Sequence, residues 1–210
     1  MQQQIGFSYV EVHYLLGVVD TEAGERSRAR FGLYGFDNPE QLAAIGASGL
    51  LARGLLGATD DNESVVPVEE AMFVSYVLLN AVRWSTFQST DGEAKGDTGF
   101  LIESDLGSVL AQPRALDTWW FVLIDSAGAG NDIIVEMVTA LAEEGEQRAI
   151  FLRSETADVD RSFTIFRDNL EWSYAVGTTG SPDPDQRIDA TDKTAVLSAL
   201  RSFAHSSSGS

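Results

Sequence analysis

From Trp84 to Val176, apolar and polar residues alternate in short runs, each closed by a cluster of Gly, Asp, Ser or Pro. The runs are Arg83 to Phe87, Gly99 to Glu103, Thr118 to Asp125, Asp132 to Val138, Arg148 to Arg153, Arg161 to Arg167 and Leu170 to Val176. A period of two between turn residues sends alternate side chains to opposite faces and predicts an antiparallel meander. Ser89 to Asp97 reads as a charged hairpin loop, and Val109 to Arg114 as a further short strand that Pro113 confines to an edge. Ile134, Val138, Leu141 and Ala142 also fit a helix. Ile133 to Leu141 is nonetheless read as strand, for its β-branched content and its place among hairpins, with Ser126 to Asn131 as the turn before it. Glu143 to Gln147 and Thr156 to Asp160 are acidic turns.

Before the meander the pattern changes. Ile5 to Val19 is apolar on both faces and suits a buried strand, with a helix ended by Gly17 as the alternative. Thr21 to Arg30 reads as a polar loop and Phe31 to Phe36 as a short second strand. Asn38 and Pro39 form a helix start, and the apolar face of Leu42, Ile45, Leu51 and Leu55 carries that helix to Leu56. Gly46 and Gly49 cost about 1 kcal/mol each inside a helix, which makes sense where another element packs closely. Ala58 to Ser64 is an acidic loop. Pro67 then opens a second, largely buried helix to Val82, with Glu69 and Glu70 in its first turn. After the meander, Thr178 to Arg187 breaks regular structure, and Asp189 or Thr191 caps a last helix over Asp192 to Phe203. His205 to Ser210 is a flexible tail.

The fold class this implies is α+β: an antiparallel meander sheet of about seven strands covered by three helices, near 40–56, 67–81 and 191–203. The 210 residues suit one large domain or two small joined halves, and a single domain over 1–210 is the expectation. Apolar residues make up 44% and aromatics 10%, enough for a packed core.

Charge narrows the partners. The 32 acids against 14 bases leave a net charge of −18, which disfavours nucleic acid and anionic membranes and favours attraction to a basic partner. No run reaches the length of a transmembrane helix. Met1-Gln2-Gln3-Gln4 has no basic leader character, so the cytoplasm is the expected location.

Candidate chemistry is sparse. Without cysteine there is no thiolate site, and two histidines, His13 in an apolar run and His205 in the tail, are too few for most metal centres. Ser48, in Gly46-Ala47-Ser48-Gly49, does not fit a nucleophile elbow, and Gly128-Ala129-Gly130 reads as a hairpin turn, not a phosphate loop. Asp60, Asp61 and Glu63, like Asp183 and Asp185, lack calcium-loop spacing. No catalytic residue, cofactor or metal site is therefore assigned. Trp119 and Trp120 stand out: neighbours in a strand face opposite ways, so one can be core while the other meets a partner.

One stretch resembles a known family. Gly49-Leu50-Leu51-Ala52-Arg53-Gly54-Leu55-Leu56 ends a helix, an acidic loop follows, and Val66-Pro67-Val68 leads into a second apolar helix and strands. With Leu110-Ala111-Gln112-Pro113-Arg114, this resembles the EspG-type chaperones of type VII (ESX) secretion in actinobacteria, over about residues 39 to 125. The resemblance implies an antiparallel sheet flanked by helices, in a cytosolic protein that binds a helical-hairpin secretion substrate without catalysis. The functional expectation is a non-enzymatic adaptor with a helical or basic protein partner. A hydrolase using paired carboxylates and a structural assembly subunit are the alternatives.

Overall fold

Strand β1 (Gln4–Ser8) runs straight into helix α1 (Tyr9–Gly17), where the sequence had suggested one long strand. The switch is made by Ser8 and Glu11. The Ser8 hydroxyl accepts from the Glu11 amide at 3.4 Å, and the Glu11 carboxylate accepts from the Ser8 amide at 2.7 Å. This reciprocal capping box satisfies free amides at the helix start and outweighs the β-branched composition after it.

The other elements of this computed structural model are α2 (Glu22–Phe31), α3 (Pro39–Ala52), β2 (Leu56–Ala58), β3 (Val65–Pro67), α4 (Glu69–Leu79), β4 (Arg83–Thr90), β5 (Lys95–Glu103), β6 (Ser108–Arg114), β7 (Thr118–Ile124), α5 (Ala129–Glu143), β8 (Gln147–Glu155), β9 (Asp160–Asp168), β10 (Glu171–Gly177), β11 (Ile188–Ala190) and α6 (Lys193–His205). The structure describes residues 3–60, 64–91, 95–124, 129–144, 147–178, 188–190 and 192–205. The expected tail, apart from His205, lies outside them. The chain clusters into two units: Met1–Val82 with Ile102–Ala127, and Arg83–Leu101 with Gly128–Ser210.

In the first unit the strand order is β1-β7-β6-β5, with only the end of β5 belonging to it. Its core holds Phe7, Leu15, Leu16, Leu50, Leu78 and Phe121, all essentially inaccessible to solvent. Helix α2 replaces the expected polar loop. Thr21 accepts from the Gly24 amide at 2.9 Å to cap it, Arg26 and Arg28 pair with Glu22 and Glu25, and Ser27 donates to the Leu78 carbonyl at 2.7 Å. Phe31 closes this helix and Gly32, at φ +69°, turns the chain away. The short strand expected over Phe31 to Phe36 does not form.

Helix α3 begins as expected, with the Asn38 side chain accepting from the Gln41 amide at 3.2 Å. It stops at Ala52, short of Leu56. Gly54 takes φ +73°, its amide donates to the Leu51 carbonyl at 3.0 Å, and the Leu55 amide reaches the Leu50 carbonyl at 2.9 Å. This left-handed C-terminal closure frees Leu56 for β2, which pairs with β3 across Leu56 and Pro67. Pro67 thus ends a strand, and α4 starts at Glu69.

In the second unit the order is β5-β4-β8-β9-β10-β11, all pairs for which a register is defined being antiparallel. The sheet is covered on one face by α5 and α6. Phe163 stacks on Tyr174 at 5.2 Å and meets Phe203 of α6 at 5.4 Å. Helix α5 overturns the strand expected over Ile133 to Leu141 and takes up Ala129 to Asn131 of the turn expected before it, whose first residues, 126–128, lie outside the described residues. The same Ile134, Val138, Leu141 and Ala142 that fit a helical stripe are its buried side, so a three-to-four periodicity prevailed over β-branched content. At the other end of α6, Asp192 accepts from the Thr194 amide at 2.8 Å and serves as its start; Asp189 lies in β11 and Thr191 outside the described residues. Arg83 and Arg161 donate to the Ala204 and Phe203 carbonyls at 3.0 and 3.3 Å. They place positive charge at the negative end of α6. The buried Trp172 ring has Arg167 at 5.6 Å and Lys193, the first residue of α6, at 5.8 Å.

Among the described residues the class is therefore α+β with a large antiparallel sheet, but with six helices instead of three. Gly46 and Gly49 do mark a close approach. A Cβ on Gly46 would fall inside the van der Waals shell of the Val10 carbonyl of α1, and one on Gly49 would stand 3.1 Å from Glu11 Oε1. Gly46→Ala is expected to lower unfolding free energy by about 3 kcal/mol, although alanine is the better helix former. Urea denaturation checks this, and a neutral or stabilising result would contradict the close contact.

Candidate functional site

The register of β1, β7 and β6 decides which side chains share a face. Trp120 lies opposite Gly6 on β1 and Gln112 on β6, with Ser8, Thr118 and Arg114 in one flanking row and Gln4, Val122 and Leu110 in the other. In a chain this acidic, these rows carry no carboxylate. Trp120 is 44% exposed. A Cβ on Gly6 would stand 3.4 Å from its indole Nε1, so the ring lies across the glycine backbone and shields it. Arg114 donates to Gln112 at 3.0 Å, which holds that flank in place.

Trp119 points the other way. Its ring meets Phe31 edge-on at 4.7 Å, behind the strand, and it is half-buried. The pair thus divides between the two faces: Trp119 is packed against α2, and Trp120 has a broad solvent-facing surface. At the β6–β7 tip, Leu116 is 92% exposed at φ +61° and Asp117 follows at φ +51°.

A second sheet face lies in the other unit, on the side of β8, β9 and β10 opposite Phe163. Thr164 is across from Phe151, and Ser173 is across from Phe166. The buried hydroxyls of Ser162, Thr164 and Ser173 have no hydrogen-bond partner among the described residues. The two phenylalanines beside them are half-buried.

The remaining sequence candidates have structural surroundings. His13 lies in α1, not a strand, with Nε2 3.3 Å from the Pro39 carbonyl and its ring against Phe36. His205 closes α6 beside Asp132 at 3.3 Å. Ser48 donates to the Ala44 carbonyl of its own helix at 2.8 Å. Ala129 and Gly130 open α5 instead of forming a hairpin turn, and Gly128 lies outside the described residues. Asp60 is exposed; Asp61, Glu63, Asp183 and Asp185 lie outside the described residues. Among the described residues no group of three or more His, Asp or Glu is placed to hold a metal ion.

Sequence reasoning missed one polar centre. Glu11 is 5% exposed, and Arg53 holds both its carboxylate oxygens at 3.0 Å while donating to the Gly6 carbonyl at 2.8 Å. The signal was present twice: Ser8 and Glu11 have capping-box spacing, and Arg53 belongs to the phrase Ala52-Arg53-Gly54-Leu55.

An antiparallel sheet with helices in this arrangement has a counterpart among solved structures. One solved structure to which this chain is similar is the Mycobacterium tuberculosis type VII secretion system chaperone EspG5 in complex with a PE25-PPE41 dimer, with a TM-score of 0.56 over 95% of each chain, at 7% sequence identity. No protein-family model matches the chain, and no curated protein matches it. Identity this low establishes the fold alone.

Burial, chiefly, and the nearby Arg28 hold the His13 pKa below the ordinary 6.5, against an opposing pull from the Pro39 carbonyl. Below that ordinary value the unfolded chain takes up a proton that the folded chain resists, so stability present at neutral pH declines as pH falls from about 6.5. Thermal melts across that window should shift downward for the wild type and flatten in His13→Gln; an unchanged slope in the variant would assign the effect elsewhere. Leu116→Gly, which relieves a left-handed backbone and loses almost no contact, should raise stability by about 1 kcal/mol, read as a higher urea midpoint.

Proposed function

We propose that this chain is a non-enzymatic protein-binding adaptor and, more narrowly, a cytosolic chaperone for a helical secretion substrate. The observation that carries this reading is the likeness in fold, across 95% of both chains, to a type VII secretion chaperone solved with a PE25-PPE41 dimer bound. Two features of the chain agree with it. No described helix is long and apolar enough to cross a membrane. The face around Trp120 offers one exposed tryptophan among rows free of carboxylates, and tryptophans of this kind anchor protein interfaces.

In this reading Trp120 is the anchor and Trp119 fixes the strand behind it. The net charge of −18 draws a basic partner toward the protein from a distance, and the carboxylate-free face then seats it. Co-purification from the native host, with the bound protein identified by mass spectrometry and then titrated calorimetrically, tests the proposal. A stoichiometric helical partner is expected. Trp120→Ala should weaken its binding by about 2 kcal/mol, roughly 30-fold in Kd, with the fold intact by circular dichroism. Recovery of no stoichiometric partner, or unchanged affinity in a folded Trp120→Ala variant, would remove the basis for this assignment.

A further inference from the structure

The hairpin between β6 and β7 turns through two consecutive left-handed residues, Leu116 at φ +61° and Asp117 at φ +51°. Such positions go by preference to Gly, Asn or Asp, because a bulkier side chain crowds the backbone there. The β9–β10 turn obeys that preference, with Asn169 at φ +55°. At Leu116 the chain carries a branched apolar side chain instead, and the residue is 92% exposed. The backbone is unfavourable and almost no apolar area is buried, so folding gains nothing from a leucine there. The turn is nonetheless braced. The Thr118 hydroxyl donates to the Ala115 carbonyl at 2.8 Å, and the Tyr9 amide donates to the Asp117 carbonyl at 2.9 Å. A leucine presented on an ordered turn loses less entropy when it docks.

Leu116 stands at the end of the face that carries Trp120. Arg114 and Thr118 form the last paired row before the turn, and Gln112 and Trp120 form the next row on the same face. Arg114 is exposed, and it is the only charged side chain in the three rows around Trp120. It donates to Gln112 at 3.0 Å and leaves its other donors without a partner among the described residues. Leu116 and Trp120 are four residues apart, at most about 13 Å along an extended chain. Two turns of α-helix advance about 11 Å. A helix laid along β7 therefore meets Leu116 and Trp120 with side chains seven residues apart, and Arg114 faces the turn between them.

We infer that Leu116 is a second anchor for the partner seated by Trp120, and that the seated segment is a helix with apolar residues seven apart and a carboxylate on the turn between them. This rests on the reading of the Trp120 face as the partner's seat. The net charge of −18 still favours a partner that is basic elsewhere; the carboxylate is a local requirement set by Arg114. Leu116 is held at a cost in stability because its apolar surface is covered only in the complex.

The test places a photo-crosslinking amino acid at position 116, 120 or 170 of the full chain, produced in its native host. Leu170 is the control, since it is 87% exposed on another hairpin. Crosslinks from 116 and 120 should reach one protein, on a single helix, at residues about seven apart, and position 170 should not reach that helix. The captured protein is then purified and titrated calorimetrically. Leu116→Gly should raise the urea midpoint and yet weaken binding by about tenfold, a pairing that a merely structural residue does not produce. Arg114→Glu should weaken binding by about tenfold or more, and Arg114→Lys should restore most of it. The inference is overturned if 116 reaches no protein or a different one, if 170 reaches the same helix, or if either Leu116→Gly or Arg114→Glu leaves affinity unchanged. Capture through 120 without 116 removes this inference and leaves the adaptor reading standing, whereas capture at neither position removes both.

Discussion

Two helix backbones lie against each other at Gly46, where α3 has no side chain to keep it off the Val10 carbonyl of α1. Much of the first unit depends on that absence. Because the helices are so close, the C-terminal end of α3 arrives beside the start of α1, and Arg53 can reach Glu11 and Gly6 together. A buried carboxylate is costly unless it is paired and hydrogen-bonded, and Glu11 is both. The capping box that converts β1 into α1 uses the same carboxylate, so strand, helix and neighbouring helix are joined at one charge.

The sheet segments follow a different rule. Along each strand, alternate residues must commit to opposite faces, and helices cover one of them. In β7 that rule separates two adjacent tryptophans: Trp119 meets Phe31, while Trp120 lies over Gly6 with much of its ring in solvent. In β9 it separates Phe163, under Phe203, from Thr164 on the other face. The sides of the sheet that the helices leave aside thus differ: Trp120 is 44% exposed, whereas Thr164 is buried.

How much of this could be read in advance varied with the source of stability. Strands β4 to β10 were legible because their signal is local: a period of two, closed by turn residues. The division between Trp119 and Trp120 followed from the same alternation. The starts of α3 and α4 were marked by Asn38 and by the acidic first turn, and the α3 glycines pointed to a tight neighbour. Helix α2 was not legible, because its ten mostly polar residues are held by Thr21 and Ser27 hydroxyls on α4 carbonyls, a contact that sequence spacing does not reveal. In α1 and α5 the helical signal was present but lost to β-branched composition. A capping box at Ser8 and a buried stripe from Ile134 to Ala142 carry more information than propensity does. The Glu11–Arg53 pair joins residues far apart in sequence, so only the packing of α3 on α1 brings it into view.

The surroundings of Trp172 have a use of their own. Its indole is buried between a cation from β9 and the first residue of α6, so its electronic environment depends on that helix being seated. Positive charge near one end of an indole shifts the colour of its emission, and loss of either cation, or entry of water, alters it again. With the other three tryptophans replaced by phenylalanine, the emission of Trp172 would report whether the final helix is docked, without any attached dye.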